Sequence, residues 1–449
     1  MFREKFRKFH FIGIGGIGMS GIAKILLDMG YEVSGSDVKE NDVIKELKEK
    51  GAVIYIGHDA KNVIGKEVVV YSSAISNVNE ELLKAKELGL QVISRGDMLA
   101  DLFRMKEGIA ISGSHGKTTT TSMISHISHI AGLDPTVLIG GILQTFGSNA
   151  VLGKSELLIS EADESDGSFL KLNSVINVVT NIDKEHIGYY KDYEDIKEAF
   201  VQFINNVPFY GASIVNIDDA GVRSILSKIH KKIITYGIES GDFQAKNIKF
   251  YQDITVFDVF YKGIKLNTVE LQIPGMHNVY NALASIAVST LMEIEQSTIR
   301  EALKSFRNAK RRIEFVGEKN GNLIYDDYGH HPTEIKSVYE ALKSKYKDKN
   351  IIVVFQPHRY SRTYYLFNDF VELFKSLDNV FLMDIYGASE ENTFGVFSSD
   401  IAKNVAKDSC AYVSSREELF EKLNQFNDSV IVFMGAGSIG KWAHEFVSS

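Results

Sequence analysis

The sequence predicts an α/β chain of about three domains. Three observations carry that expectation. Apolar runs of strand length alternate with helical patterns, glycine turns close several of those runs, and 449 residues are too many for one compact core. The runs fall at 9–14, 32–36, 68–71, 108–112, 157–160, 175–180, 351–355, 380–384 and 429–434. A strand, a helix and a strand in repeated succession place helices on the faces of parallel sheets. Between 233 and 273 the rhythm changes. Short runs at 254–261 and 268–273 flank a turn near Tyr261-Lys262-Gly263-Ile264, which predicts antiparallel hairpins added within the middle domain.

Boundaries are expected near 105, at Phe103-Arg-Met-Lys-Glu-Gly108, and near 308, at the basic connector Phe306-Arg-Asn-Ala-Lys-Arg-Arg312. The resulting domains are 1–105, 106–308 and 309–449. A hydrophobic fraction of 44% supports packed cores in each. The net charge of −8, with no block of five or more Lys or Arg, excludes the basic face of a duplex nucleic-acid binder. Cys410 is the only cysteine, so no intrachain disulfide or thiolate zinc site forms, which fits a cytoplasmic protein. Arg3, Lys5, Arg7 and Lys8 ahead of an apolar run imitate a signal peptide. Glycines break that run and no small-residue cleavage site follows, so a strand and its turn are expected instead. No stretch of 18 apolar residues predicts a membrane span.

The run 109–112 leads into Gly113-Ser114-His115-Gly116-Lys117-Thr118-Thr119. A strand breaking into such a turn leaves backbone N–H groups free for phosphate, and the following helix adds the positive end of its dipole. Lys117 then reaches the β- and γ-phosphates, and the Thr118 hydroxyl is placed for Mg²⁺. The spacing is two residues shorter than the usual Walker loop, with Ile111 at the place of its first glycine. ATP or GTP is the expected ligand.

Gly13-Ile-Gly15-Gly16-Ile-Gly18 also follows a strand, and Asp37 ends the next one. Glycines there permit close approach of a pyrophosphate, with the carboxylate on a ribose hydroxyl. An NAD-dependent oxidoreductase and a UDP-sugar binder both satisfy that pattern. A second such motif, Gly435-Ala-Gly437-Ser-Ile-Gly440, stands nine residues from the end and cannot open a complete βαβ unit. It reads as tight strand-to-helix packing.

Three further strand ends carry chemistry. In Glu161-Ala-Asp163-Glu164-Ser165-Asp166 the first carboxylate is best placed to reach a phosphate-bound Mg²⁺. In Asn181-Ile-Asp183-Lys-Glu185-His186, one side chain could take a second metal, although a lone histidine is often simply packed. Asn278 and Asn281, in Gly275-Met-His277-Asn278-Val-Tyr-Asn281, could read an adenine edge, with helix capping the other role open to Asn278. Asp326-Asp327-Tyr328-Gly-His330-His331 and Gln356-Pro-His358-Arg359-Tyr-Ser-Arg362 concentrate imidazole and guanidinium groups suited to an anionic substrate.

Taken in order, these motifs resemble the Mur ligase family over nearly the whole chain. The resemblance implies a Rossmann-like N-terminal domain for the UDP-sugar, a central P-loop ATPase-like mixed sheet, and a Rossmann-like C-terminal domain that closes over the site. It implies amide formation between L-alanine and UDP-N-acetylmuramate through an acyl phosphate, in the cytoplasm, with ATP and Mg²⁺ (Mn²⁺ as the alternative ion). No nucleic acid or membrane partner is expected, and the oligomeric state is left open. By the same resemblance Gly13, Gly15, Gly16, Gly18, Ser36, Asp37, Ser72, Ser73 and Arg95 face the UDP-sugar. Gly113, Ser114, His115, Gly116, Lys117, Thr118, Thr119, Asn278, Asn281, Arg312 and Asp327 face ATP. Lys117, Glu161, His186 and Arg312 are the catalytic set, Thr118, Glu161 and His186 the metal ligands, and His331, His358, Arg359 and Arg362 the acceptor side. The chain departs from the family pattern at Asn308, Gly188 and Tyr386-Gly387. A sibling that adds a preformed peptide usually carries Tyr where Ser165 stands, which favours alanine as acceptor.

Overall fold

The structure, a computed structural model, describes residues 6–186, 188–251, 254–388 and 390–449. Arg3 and Lys5 of the basic N-terminal stretch lie outside them.

The first sheet is built from β1 (Lys8–Ile12), β2 (Glu32–Asp37), β3 (Val53–Ile56), β4 (Val68–Tyr71) and β5 (Gln91–Ser94), in the order 3-2-1-4-5 and parallel throughout. Its order reverses beside β1, so the 13–18 turn opens at a topological switch point, where α/β sheets bind ligands. β1 ends two residues earlier than the apolar run, because the N–H groups of Gly13 and Ile14 both turn to the Ser36 carbonyl.

The central sheet contains β6 (Glu107–Ser112), β7 (Thr136–Leu143), β8 (Ser148–Val151), β9 (Leu157–Glu161), β10 (Ser174–Val179), β11 (Ala212–Asn216), β12 (Ile233–Gly237), β13 (Phe243–Phe250), β14 (Thr255–Tyr261) and β15 (Ile264–Leu271). Its order is 15-14-13-12-11-10-6-9-7-8. The strands from β7 across to β13 run parallel, while β14, β15 and β8 are antiparallel to their neighbours. The expected hairpins therefore extend this sheet, and only the run at 233–237 differs, as a parallel strand. Lys262 and Gly263 both take positive φ in the turn joining β14 to β15.

The third sheet holds β16 (Glu314–Lys319), β17 (Asn322–Asp327), β18 (Ile351–Phe355), β19 (Asn379–Leu382), β20 (Cys410–Tyr412) and β21 (Val430–Met434), ordered 16-17-21-18-19-20 with β16 alone antiparallel. β18 and β21 are continuous apolar runs because helices cover both their faces. Among the described residues no helix is long and apolar enough to cross a membrane.

Apolar burial divides unevenly. One core runs from the first sheet into the central one, joining Phe11, Ile22, Leu99 and Phe103 to Leu138, Ala150, Leu158 and Phe169. The third sheet has its own two cores, drawn wholly from residues after 312.

Candidate active site

β6 lies inside the central sheet, and the loop after it runs into the helix Lys117–Ile130. Two glycines make that turn. Gly116 caps the helix at φ 86°, where a Cβ would sit 2.6 Å from the Asn281 amide oxygen, and Gly113, at φ 130°, passes so close to Thr180 that no side chain fits. Neighbouring strand ends hold the loop. Thr180 Oγ1 and Asn181 Nδ2 donate to the His115 carbonyl, and Asn181 Oδ1 accepts from His115 N–H at 2.8 Å. Lys117 Nζ donates to the Gly113 and Ser114 carbonyls and to Glu164 Oε1 at 2.7 Å. Burial opposes its charge, but Glu164 and Glu185 outweigh that and raise its pKa, so it remains an ammonium.

The acidic side differs from the sequence expectation. Glu161 ends β9, accepts from Gly140 N–H at 2.9 Å, and lies by Thr118; burial raises its pKa. The carboxylates that converge on His186 are Glu164 and Glu185, at 3.2 and 3.5 Å from His186 Nε2. Both are buried, and Glu185 Oε1 has no hydrogen-bond partner. A divalent cation fits this set, since two carboxylates and an imidazole within reach of one point leave a buried oxygen unpaired. Glu164 and Glu185 stand in motifs the sequence singled out, but spacing alone did not distinguish them from Glu161.

A pocket of about 140 Å³ opens between the loop and the third sheet. Asn281, Asn308, His277, Asp327 and Arg312 line it. Arg312 crosses to donate to Thr118 Oγ1 at 3.4 Å, and its guanidinium lies 5.6 Å from the Tyr328 ring centre. Burial pushes Asp327 up to about 6, against the neighbouring Arg312 and the N–H groups of Gly329 and Ile313. Burial also brings His277 down to about 4. Asn308, a departure from the family pattern, accepts from the Thr119 hydroxyl at 3.2 Å. Asn278 is a correction. Its amide is buried, donating to the Pro274 carbonyl at 2.6 Å and accepting from Asn281, so it neither lines the pocket nor caps the helix. Its effect is to orient Asn281.

A larger cavity of about 370 Å³ is bordered by all three sheets' elements: Gly18 and Arg95, then Lys117, Thr118, Glu161, Glu164, Glu185 and His186, then Arg312, His330, His358, Arg359 and Arg362. Arg95 reaches it while paired with Asp163 and Asp166 at 3.1 and 3.3 Å. Burial, then the charge of Arg362, holds His330 at about 4 and His358 at about 3, so both imidazoles are neutral beside two guanidiniums. His330 thus joins His358, Arg359 and Arg362 on the acceptor side, where the family resemblance named His331 instead.

Five residues sit elsewhere. Ser36 is fully buried, its hydroxyl on Glu81 at 2.5 Å, so its side chain does not face a ligand. Asp37 Oδ2 accepts from Gly15 N–H at 2.8 Å and shapes the turn. Ser72 packs against Gly13, next to the exposed Ser73, beside the same turn and outside the large cavity. His331 caps the helix Pro332–Lys345, its Nδ1 accepting the Thr333 N–H at 3.3 Å, and its ring lies tilted against His115, centres 4.8 Å apart, instead of facing the cavity. The C-terminal domain, expected to approach across a gap, already touches the phosphate loop.

Comparison with known proteins follows this architecture. The Mur ligase family catalytic domain matches residues 8–107, the Mur ligase middle domain 111–289, and the Mur ligase glutamate ligase domain 311–437. The chain is 89% identical over 449 residues to a UDP-N-acetylmuramate–L-alanine ligase of Hydrogenobaculum sp. (strain Y04AAS1), covering 100% of both. It is 54% identical to the enzyme of that name from Aquifex aeolicus (strain VF5), covering 100% of this chain and 98% of the other. A crystal structure of UDP-N-acetylmuramate-alanine ligase from Thermotoga maritima superposes with a TM-score of 0.84 at 26% identity, covering 98% of each chain.

Proposed function

We propose that this chain, which belongs to the Mur ligase family, joins L-alanine to UDP-N-acetylmuramate with conversion of ATP to ADP and phosphate. The observation that carries the reading is a cavity bordered by Gly18 at the start of the first helix and Arg95, by the phosphate loop, and by the His330, His358, Arg359 and Arg362 cluster. Three substrates must meet at one point, and three domains supply one wall each. An NAD-dependent oxidoreductase leaves the phosphate loop without a role.

A carboxylate is a poor acyl donor. One carboxylate oxygen of the sugar attacks the γ-phosphorus, the bond to the β-phosphate oxygen breaks, and ADP leaves. The alanine nitrogen then attacks the acyl carbon, the tetrahedral intermediate expels phosphate, and the nitrogen gives up a proton. Positioning and charge stabilisation dominate such transfers. Lys117 and Arg312 would neutralise the transferring phosphoryl group from opposite domains. Asn281 and Asp327 would meet the nucleoside, and Arg95 the sugar. Arg359 and Arg362 would hold carboxylates, with neutral His330 and His358 as hydrogen-bonding groups beside them. Mg²⁺ held by Thr118 and Glu161, with a second ion at Glu164, Glu185 and His186, would neutralise phosphate charge. These soluble, charged substrates and the single buried cysteine fit the cytoplasm.

The test is phosphate release with UDP-N-acetylmuramate, ATP and Mg²⁺ as single amino acids or the preformed peptide are supplied in turn. L-Alanine should give the highest kcat/KM. Lys117→Ala should abolish turnover in a folded protein, a loss of about 10³-fold or more. Wild-type ADP production by that variant would overturn its assignment, and preference for the peptide would favour the sibling activity.

A further inference from the structure

One cluster on the wall of the smaller pocket, formed by His115, Thr333 and Glu334 with Asp183 behind them, is given no step in the reaction above. His115 sits in the phosphate loop, yet its side chain turns away from the large cavity. Its Nε2 lies 3.1 Å from Asp183 Oδ2 and its Nδ1 3.2 Å from Glu334 Oε1. Asp183 is tied to the same loop, its N–H donating to Ser114 Oγ at 2.8 Å. From the C-terminal domain, the Thr333 hydroxyl donates to Asp183 Oδ2 at 2.8 Å. Glu334 Oε2 accepts the N–H groups of His330 and His331 at 2.9 and 3.2 Å.

We infer that Asp183 and His115 are positioning residues that seat the C-terminal domain on the phosphate loop. The inference rests on the ligase reading for its kinetic consequences. Both ring nitrogens of His115 are taken by carboxylates, one from each domain. A buried imidazolium held between two carboxylates makes charge-assisted hydrogen bonds, and these specify orientation as well as proximity. The Thr333 and Glu334 contacts grip the first turn of the helix Pro332–Lys345. The same two residues therefore fix the 328–331 loop, which carries His330 into the cavity and Tyr328 against Arg312. Arg312 contacts Thr118 at a rather long 3.4 Å, so this single bond is a weak anchor for the domain. The seat, not Arg312, sets the approach.

Asp183→Asn removes the charge and Thr333→Val removes the bond from the exposed C-terminal side. Steady-state kinetics should show kcat lower by about 10- to 100-fold in each, as expected for misplacement near 1 Å. The Kd for UDP-N-acetylmuramate should stay within about twofold, since the seat lies away from the N-terminal domain. Arg312→Ala should cost a smaller factor in the Asp183→Asn background than in the wild type, whereas a merely structural Asp183 would give multiplicative losses. Wild-type kcat in both variants, or multiplicative losses, would overturn the inference. Small-angle scattering tests the seat without turnover. A larger radius of gyration in both variants supports it, and radii equal to the wild type overturn it. Failure of the wild-type chain to release phosphate overturns the ligase reading alone.

Discussion

The two junctions of the central domain are built from different forces. Toward the N-terminal domain, Phe103 packs over Gly108 at the start of β6, and the apolar core continues without a break from Phe11 and Ile22 to Leu138 and Phe169. Polar contacts there are buried too. Lys24, 1% exposed, bonds Glu46 of its own domain and Asn149 on β8, while Asn149 Nδ2 donates to the Ile17 carbonyl at the mouth of the glycine turn. Toward the C-terminal domain no apolar core is shared among the described residues, and the contacts include Arg312 to Thr118, His115 to Glu334 and His331, and Thr333 to Asp183. Apolar burial scales with area and is insensitive to pH and salt, whereas hydrogen bonds and ion pairs exchange readily with water. The first junction thus behaves as one folded unit. The second can part and re-form, as a domain that admits substrates and then excludes water must.

The strongest attempt to break this contrast is Phe103→Ala. Removing a ring 1% exposed in the shared core should destabilise the chain by about 3–5 kcal/mol. In denaturant, monitored by circular dichroism, the N-terminal and central domains should still unfold in one transition. Two separated transitions would mean that the junction is no true core. Next, Lys24→Ala should cost about 2 kcal/mol, less than a fully buried pair, because Glu46 is 40% exposed and regains water. Thermal unfolding with and without the substitution measures it.

The smallest effect concerns the polar junction and involves no unfolding. Burial lowers the His115 pKa, but hydrogen bonds to Asp183 and Glu334 outweigh it and raise the group to about 10 from 6.5. Parting the domains removes Glu334 but leaves Asp183 on His115, so the seated arrangement is favoured while the imidazolium persists and progressively less as the pH rises through about 10. The radius of gyration should therefore grow between pH 8 and 10.5 while far-UV circular dichroism stays constant. His115→Asn should already be expanded at pH 8. A wild-type radius independent of pH over that range would show that the imidazolium does not hold the domain.

The parts legible in the sequence are those written in consecutive residues. An apolar run, a glycine turn and Lys117 specify a strand, a loop and a helix N-terminus locally, so the phosphate loop and the strand ends were readable before any packing. The 13–18 turn was readable for the same reason, and so was the hairpin at Lys262-Gly263. Strands beyond the apolar runs, such as β5 and β13, were not, because their exposed faces dilute the pattern.

By itself, then, the sequence determined where chemistry could gather: at the carboxyl ends of strands, on loops opening at Gly13, Gly113, Glu161, Asn181, Asp327 and Gln356. Only the tertiary structure decided which side chain at each place faces the others. The loop after β9 turns Glu164 onto Lys117 and His186 and leaves Glu161 by Thr118. Burial turns Ser36 and Asn278 inward. The helix cap holds His331 off the cavity, and His115 meets Glu334 across a separation of 219 residues. The reason is physical: a turn or a helix start is specified by consecutive residues, but the direction of a polar side chain is settled by whichever partner the folded chain brings within about 3 Å of it.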